Sequence, residues 1–315
     1  MSTTESGAEV SRRRAWLMAA RPQTLPAAAA PVVVGVGLAL RDGVFAPLPA
    51  VAALVGAALI QVGTNFANDY YDAVKGADTE DREGFTRVTA GGLIEPASVK
   101  RAMWLTFAAA ILGGVYLVWV GGLPILVIGL LSVASGVAYT GGPYPLGYHG
   151  LGDLFVFLFF GVIAVTGTYY VQAAAELGVA FATLVPRPEL VPLAALVASL
   201  PVAALSTNIL VVNNVRDREE DATTGKRTLA VRFGYGVARG EFVGLLGLAY
   251  TIPIVFAVET GDLATLLPLV TLPLAASVAR TVLTETAGEA LNPTLESTGR
   301  LLAAFAALFA VGLAV

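Results

Sequence analysis

The chain is a succession of long apolar runs separated by short polar stretches. The runs do not alternate apolar and polar residues as the strands of a membrane β-barrel would, and most approach the about 17–25 residues that a helix needs to cross a bilayer. The pattern predicts an all-α, polytopic integral membrane protein with about nine transmembrane helices, in a single domain (1–315) that starts with a polar cytoplasmic tail (1–14). The predicted spans lie at roughly 15–40, 48–68, 102–120, 123–139, 154–173, 190–212, 241–258, 263–283 and 300–315.

Composition supports a membrane protein and excludes several kinds of chemistry. Hydrophobic residues make up 56% of the chain and charged residues only 13%, whereas soluble domains carry roughly 25% charged residues. Cysteine is absent, which excludes disulfides, thiolate catalysis and metal sites with cysteine ligands. The net charge of −4 is small and gives no indication of nucleic-acid binding.

The basic residues indicate how the helices face the two sides of the membrane. With the N-terminus inside and the spans alternating, only Arg41 and Arg187 of the 19 lysines and arginines fall on the outer side. This is the bias that the positive-inside rule describes. Polar stretches at 68–81, 139–153 and 213–228 then share the cytoplasmic face, and we expect the functional opening there, in a protein of the cell membrane.

Two of these stretches are rich in acids and amides at matched spacing. In the first acidic cluster, "NDYYDAVKGADTED" (68–81), Asn68 and Asp72 are four residues apart. In the second acidic cluster, "NNVRDREEDATTGKRT" (213–228), the corresponding residues follow at intervals of four: Asn213, Asp217 and Asp221. On a helix this spacing stacks side chains along one face, so each cluster is predicted to present oxygen ligands at the inner end of a span.

Carboxylates crowded at the edge of a membrane repel one another and are costly to desolvate, and a divalent cation relieves both costs. Mg²⁺ suits this place because it binds a few carboxylates, keeps waters and accepts substrate phosphate oxygens. Basic residues that complement phosphate charge accompany the acids: Lys75, Arg87, Arg216 and Lys226. A solvated loop with capping residues would explain one such cluster, but the repeated Asn-xxx-Asp spacing favours a site for metal and diphosphate.

Several stretches of the chain carry a resemblance to a known family. They are "RPQTLPAAAAPVVVG" (21–35), "NFANDYYDAVKGADTEDR" (65–82), "YTGGPYPLGYHGLGD" (139–153), "NNVRDREEDATTGKRTLAVRFG" (213–234) and the ending "NPTLESTGRL" (292–301). With them the chain resembles the UbiA superfamily of intramembrane prenyltransferases, and within it the 1,4-dihydroxy-2-naphthoate polyprenyltransferase branch. The broad superfamily pattern would put an aspartate at position 76, where this chain has Gly76 followed by Asp78, and the naphthoate branch is similar to this chain in that respect.

The resemblance implies nine helices around a central cavity that opens sideways for a lipid tail. It implies transfer of an isoprenoid chain from polyprenyl diphosphate to 1,4-dihydroxy-2-naphthoate, with release of diphosphate and CO₂, giving demethylmenaquinone. We expect Mg²⁺ as two ions that bridge the diphosphate, one on Asn68 and Asp72 and the other on Asp217 and Asp221. Adjacent partners of the ions are Asp69, Asn213 and Asn214, and the phosphate ligands are Lys75, Arg87, Arg216 and Lys226.

Three further residues are candidates for catalysis or for binding of the acceptor. Tyr139 ends the fourth span and is placed to hydrogen-bond the diphosphate or shield the carbocation. His149 and Asp153 lie in the third polar stretch, where either is suited to hold or remove a proton of the acceptor. The alternatives are an interfacial loop histidine for His149 and an N-cap of the fifth span for Asp153.

Three other functions are compatible with parts of the pattern. A secondary transporter also contains acids and internal repeats, but it usually places ionisable residues near the midplane of the membrane. A phosphatidyltransferase would carry an Asp-Gly-x-x-Ala-Arg stretch, which this chain lacks. A sister prenyltransferase with another aromatic acceptor stays open.

Overall fold

The computed structural model describes residues 10–76, 87–179 and 190–315, and every regular element in these ranges is helical. The α-helices are α1 (Arg12–Ala20), α2 (Leu25–Arg41), α3 (Pro47–Lys75), α4 (Pro96–Gly121), α5 (Leu123–Ala138), α6 (Gly152–Val156), α7 (Ala164–Glu176), α8 (Leu193–Arg216), α9 (Arg218–Thr223), α10 (Leu229–Thr260), α11 (Leu272–Thr284) and α12 (Gly288–Ala314). Short 3₁₀ segments cover Pro22–Thr24, Leu146–His149 and Leu263–Thr271, and a π-helical segment, Phe157–Ile163, joins α6 to α7.

Eight helical segments of the described chain are long and apolar enough to cross a membrane, and α5 adds a shorter apolar helix of 16 residues. The all-α membrane fold with about nine spans is thus confirmed. Several helices extend beyond the predicted apolar runs, namely α3, α4, α8, α10 and α12. Hydropathy misses these extensions because they carry polar residues, although the helix itself continues. At the other end of the chain α1 begins at Arg12, inside the predicted polar tail, and Ser11 caps it.

The membrane helices close into a ring because α2, near the start of the chain, packs along α12, at its end. Within the ring α3 packs on α4, and α8 packs on α10. The α2–α12 approach is close: a Cβ atom added at Gly37 would lie 2.5 Å from the carbonyl oxygen of Ala310. Small residues permit such backbone contacts between membrane helices, so Gly37 fixes where the ring closes.

Helix α8 is the most enclosed of the long helices. It packs against α2, α7, α10 and α12, and its buried residues extend over most of its length. A helix that is apolar on all sides belongs to the interior of a protein. The second acidic cluster follows this central helix, while the first lies at the end of α3.

The four-residue spacing predicted for the second acidic cluster persists although α8 ends before Asp217: the Asp217 amide donates to the Asn213 carbonyl at 2.8 Å, and the Asp221 amide donates to the Asp217 carbonyl at 2.7 Å. Asp217 has φ −88° and ψ 4°, and α9 starts at the next residue. Arg216 donates from Nε and Nη2 to the two carboxylate oxygens of Asp217, at 2.6 and 2.9 Å. This pairing holds the Asp217 carboxylate at the junction between α8 and α9.

Candidate active site

A cavity of about 1060 Å³ lies inside the ring of helices. Its walls are mainly apolar, with Ile60, Ile128 and Phe159 among the lining residues, and its polar end brings the two acidic clusters together. The polar lining residues include Asn68, Asp72, Arg87, Tyr139, Tyr148, Asn213, Asn214, Arg216, Asp217, Asp221 and Lys226. Residues that are far apart in the sequence therefore face one shared space.

Asp72 is the buried acid of the first cluster, with 2% of its surface exposed. Its Oδ2 accepts a hydrogen bond from Nη2 of Arg87 at 2.9 Å, and its Oδ1 accepts one from the Tyr148 hydroxyl at 2.7 Å. Both partners come from other loops. A buried carboxylate needs such compensation, so the position of Asp72 depends on chain segments outside α3.

Asn68 and Asp69, one residue apart on α3, face different surroundings. Asn68 lines the cavity, and its Oδ1 accepts a hydrogen bond from the Thr140 hydroxyl at 3.0 Å. Asp69 is outside the cavity lining, and its carboxylate accepts hydrogen bonds from the backbone amides of Val88 and Thr89 and from the Thr89 hydroxyl. Asp69 thus holds the segment that carries Arg87, which is a different role from the predicted metal contact.

Gly76 explains why this position does not need an aspartate. It follows Lys75 with φ +66°, a left-handed conformation that closes α3 and that glycine adopts without strain. The Gly76 amide bonds back to the Ala73 carbonyl at 3.1 Å. Asp78, the nearby candidate, lies outside the described residues.

The second cluster is organised around Arg216, which is buried beside the cavity. Besides its two bonds to Asp217, it donates to Oδ1 of Asn213 and to Oδ1 of Asn292 on α12, both at 2.8 Å. A guanidinium supplies this planar set of donors, and a lysine cannot. Asn213, Arg216 and Asp217 are therefore held as one local unit.

Asp221 completes the second cluster with a cation of its own. Its Oδ1 lies 3.4 Å from Nζ of Lys226, and the backbone amide of Lys226 bonds to the Asp221 carbonyl. Burial raises the pKa of the Asp221 carboxyl to about 6, against a smaller opposing effect of Lys226. A carboxylate that is disfavoured in its charged form gains from additional positive charge nearby.

Lys75 does not line the cavity, unlike the other predicted phosphate ligands. Its ammonium donates to the backbone carbonyls of Thr140 at 2.5 Å and Gly142 at 3.4 Å. It also lies 5.1 Å from the ring centroid of Tyr148. Lys75 therefore ties the end of α3 to the third polar stretch.

Of the three further candidates, only Tyr139 lines the cavity. Asp153 is buried in the first turn of α6, where its Oδ1 accepts a hydrogen bond from Asn214 at 3.3 Å. It is not the N-cap of this helix, because that position is Leu151. His149 lies outside the cavity lining: its Nδ1 is 2.8 Å from the Pro145 carbonyl and its ring stacks on Tyr144. Asp153 thus reaches the cavity only through Asn214.

The residues at the polar end fit Mg²⁺ that is shared with a ligand. In the described part of the chain, no three His, Cys, Asp or Glu side chains converge on one point. The acids instead face the cavity as Asp72 on one side and Asp217 with Asp221 on the other. Mg²⁺ is usually bound by one or two carboxylates plus substrate phosphates and waters, and seldom by an all-protein cage.

Sequence reasoning missed the polar residues that hold the side chains of the two clusters in place. Tyr148 binds Asp72, Thr140 binds Asn68 and Asn292 binds Arg216. All three lie in stretches that carry the family resemblance, but none is an acid or a base that charge patterns would select. The sequence gives one indication that Tyr148 is functional, because it is an aromatic residue in a glycine-rich polar loop.

Comparison with known proteins gives consistent results. The model of the UbiA prenyltransferase family matches residues 28–295. The chain is 38% identical to a 1,4-dihydroxy-2-naphthoate octaprenyltransferase of Escherichia coli (strain K12), over 92% of each chain. It is also 38% identical to the protein of that name from Mycobacterium tuberculosis, over 95% of this chain and 96% of the relative.

A solved structure shows the same fold. It is a UbiA homolog from Archaeoglobus fulgidus bound to DMAPP and Mg²⁺, with a TM-score of 0.56 at 14% identity, over 94% of this chain and 99% of that chain. The resemblance inferred from the sequence motifs is confirmed by these comparisons, as is the helical membrane fold.

Proposed function

Because this chain belongs to the UbiA prenyltransferase family, we propose that it transfers a polyprenyl group from polyprenyl diphosphate to 1,4-dihydroxy-2-naphthoate. The observation that supports this most is that both acidic clusters line the polar end of one cavity whose remaining walls are apolar. A diphosphate fits the charged end and an isoprenoid chain fits the apolar walls. The names of the bacterial relatives specify the same acceptor.

The donor is held at the polar end. Asn68 and Asp72 on one side, and Asp217 and Asp221 on the other, are the residues that would hold two Mg²⁺ ions. Bound Mg²⁺ neutralises the charge that develops on the leaving diphosphate. The Archaeoglobus fulgidus homolog is bound to DMAPP and Mg²⁺, which supports Mg²⁺ as the metal. Phosphate oxygens are bound by three of the cations that line the cavity, Arg87, Arg216 and Lys226.

The apolar walls protect the reacting carbon. Cleavage of the allylic C–O bond leaves a carbocation that water would trap, and the buried walls exclude water from it. Tyr139 lines the same cavity, and we assign its hydroxyl to bonding the diphosphate or shielding the cation. Phe155 and Phe159, stacked with ring centroids 5.7 Å apart, lie along the same cavity.

The acceptor completes the reaction as a carbon nucleophile. A new C–C bond forms at the ring carbon that carries the carboxylate, and CO₂ leaves with its bonding electron pair returned to the ring. This electron count gives the quinol form of demethylmenaquinone, together with diphosphate. Since His149 and Asp153 lie outside the cavity lining, we assign neither to direct contact with the acceptor; Asp153 orients Asn214.

The lipid tail leaves the cavity sideways. Three lining residues of α4 and α5, Val115, Trp119 and Leu126, are exposed large apolar side chains. Because exposed apolar side chains on a membrane protein suit contact with lipid, we assign the exit of the tail to the gap between these helices. We assign the protein to the cell membrane, with the charged end of the cavity on the cytoplasmic side.

The test is incubation of the purified protein in lipid with Mg²⁺, 1,4-dihydroxy-2-naphthoate and prenyl diphosphates of several lengths, followed by mass spectrometry. We expect demethylmenaquinol with the chain length of the donor, and no product when Mg²⁺ is chelated. A parallel reaction with 4-hydroxybenzoate tests the sister activity. Product from that acceptor alone would contradict the assignment, and so would solute binding without turnover of any prenyl diphosphate.

A further inference from the structure

Tyr148 connects the two halves of the polar end in a way that the predicted metal and phosphate ligands do not. Its hydroxyl donates to Oδ1 of Asp72 at 2.7 Å. Its ring centroid lies 5.1 Å from Nζ of Lys75 and 5.2 Å from Nζ of Lys226. The Tyr148 side chain thus contacts Asp72 of the first cluster and one lysine from each of the two clusters.

The backbone of Tyr148 extends the same connection. The amide of Arg227, next to Lys226, donates to the Tyr148 carbonyl at 2.8 Å. Nη2 of Arg232 donates to the carbonyl of His149, also at 2.8 Å. The 3₁₀ segment Leu146–His149 is therefore fixed to the second cluster by its backbone and to the first cluster by the phenol.

We propose that Tyr148 is a positioning residue that sets the relative positions of two half-sites of the Mg²⁺–diphosphate site. The first half-site is formed around Asp72 and the second around Asp217 and Asp221. The phenol orients Asp72, and the ring holds Lys75 and Lys226. This inference rests on the proposed function. A hydrogen bond to one oxygen fixes the rotation of the Asp72 carboxylate, and an oriented ligand binds metal more tightly than a free one. An aromatic face attracts ammonium groups within about 6 Å.

The two roles are separable because they use different atoms. Tyr148→Phe removes the hydroxyl and keeps the ring, whereas Tyr148→Leu removes both. Tyr144→Phe is the matched control, because Tyr144 lies in the same stretch, is exposed, and stacks on His149 outside the cavity lining. The unfolding midpoint of each variant without Mg²⁺ reports whether the fold is retained.

The probe is geranyl S-thiolodiphosphate, a donor analogue that resists cleavage, and calorimetry measures its binding as Mg²⁺ is varied. We expect Tyr148→Phe to raise the Mg²⁺ concentration for half-maximal binding by about 10–100-fold, the usual cost of losing a group that orients a metal ligand. At saturating Mg²⁺ its affinity for the analogue stays near the wild-type value. Tyr148→Leu shifts the Mg²⁺ midpoint similarly and also weakens binding at saturating Mg²⁺ by about 2–30-fold, because both ammonium contacts are lost.

Three results would overturn the proposal. One is a wild-type Mg²⁺ midpoint in Tyr148→Phe, and another is the same shift in Tyr144→Phe. The third is equal loss of analogue binding at saturating Mg²⁺ in Tyr148→Phe and Tyr148→Leu, which indicates a purely structural role. Since the experiment contains no acceptor, an error in the proposed acceptor leaves it unaffected, whereas wild-type protein that fails to bind the analogue with Mg²⁺ contradicts both proposals.

Discussion

The two acidic clusters face the same cavity but are assembled differently. In the first, Asp72 lies within the continuous helix α3 and is held by Arg87 and Tyr148, which come from separate loops. In the second, Asp217 is held by its neighbour Arg216, and Asp221 by Lys226 five residues later. The second half-site is therefore built mainly from contacts between near neighbours, with Asn292 of α12 as one distant partner of Arg216, whereas the acid of the first half-site is held by distant loops alone.

This difference determines how each half-site responds to change. Loss of the Asp69 contacts that hold the Arg87 segment should alter the first half-site and leave the second intact. Substitution of Arg216 should alter the second half-site directly, because Arg216 itself contacts Asp217. The following predictions separate the two cases, in order of decreasing effect.

Replacing either principal acid should have the largest effect. We expect Asp72→Asn and Asp217→Asn each to lower the rate of prenyl transfer by at least about 100-fold, the scale of losing one preorganised charge-stabilising group. The variants should remain folded and inserted in the membrane, as judged by their unfolding midpoints. Full activity in either one would remove that acid from the proposed metal site.

Lys226→Ala should impair the donor more than the acceptor. We expect the KM for polyprenyl diphosphate to rise by about 10-fold, since hydrogen bonds to charged groups contribute about 1.5–3 kcal/mol. The KM for 1,4-dihydroxy-2-naphthoate should change much less, because Lys226 lies among the residues assigned to the diphosphate. Steady-state kinetics with each substrate varied in turn measures the difference, and equal increases in both constants would contradict the role.

Asp69→Asn tests the dependence of the first half-site on its loop. The carboxylate of Asp69 accepts two backbone amides and the Thr89 hydroxyl, and an amide side chain cannot accept all three. We expect a loss of about 1–3 kcal/mol in unfolding free energy. We also expect a higher Mg²⁺ concentration for half-maximal binding of the donor analogue. Thr89→Val removes only the hydroxyl contact. It should therefore lower the unfolding free energy less than Asp69→Asn does, and should raise the required Mg²⁺ concentration less. An unchanged Mg²⁺ response in Asp69→Asn would show that the loop does not control Asp72.

His149→Ala should have the smallest effect. His149 lies outside the cavity lining and packs on Tyr144, so we expect the turnover rate and both Michaelis constants to stay within about 2-fold of wild type, as for substitutions away from special features. A large fall in turnover with unchanged stability would show that the imidazole acts on the acceptor after all.

The sequence predicts much of the fold and the identity of the charged residues. Long apolar runs identify the spans because a helix is the simplest way to satisfy the backbone in lipid. The charged residues that the pattern singles out, Asp72, Arg216, Asp217, Asp221 and Lys226, line the cavity, and their roles toward metal and diphosphate stay predictions.

The remaining details depend on tertiary contacts that spacing does not encode. Asp69 and Asp72 look equivalent in the sequence, yet only Asp72 faces the cavity. Asp217 lies at the junction of α8 and α9, where Arg216 binds both of its carboxylate oxygens. Tyr148 carries no charge, so its place between the clusters emerges only when three loops fold together.

The most direct test of the account is the structure of the protein bound to Mn²⁺ and geranyl S-thiolodiphosphate, with the metal located by its anomalous scattering. The account predicts metal ions that contact Asp72 on one side of the diphosphate and Asp217 or Asp221 on the other. A diphosphate held with its metal by one cluster alone, and the other cluster turned away from it, would contradict the shared site.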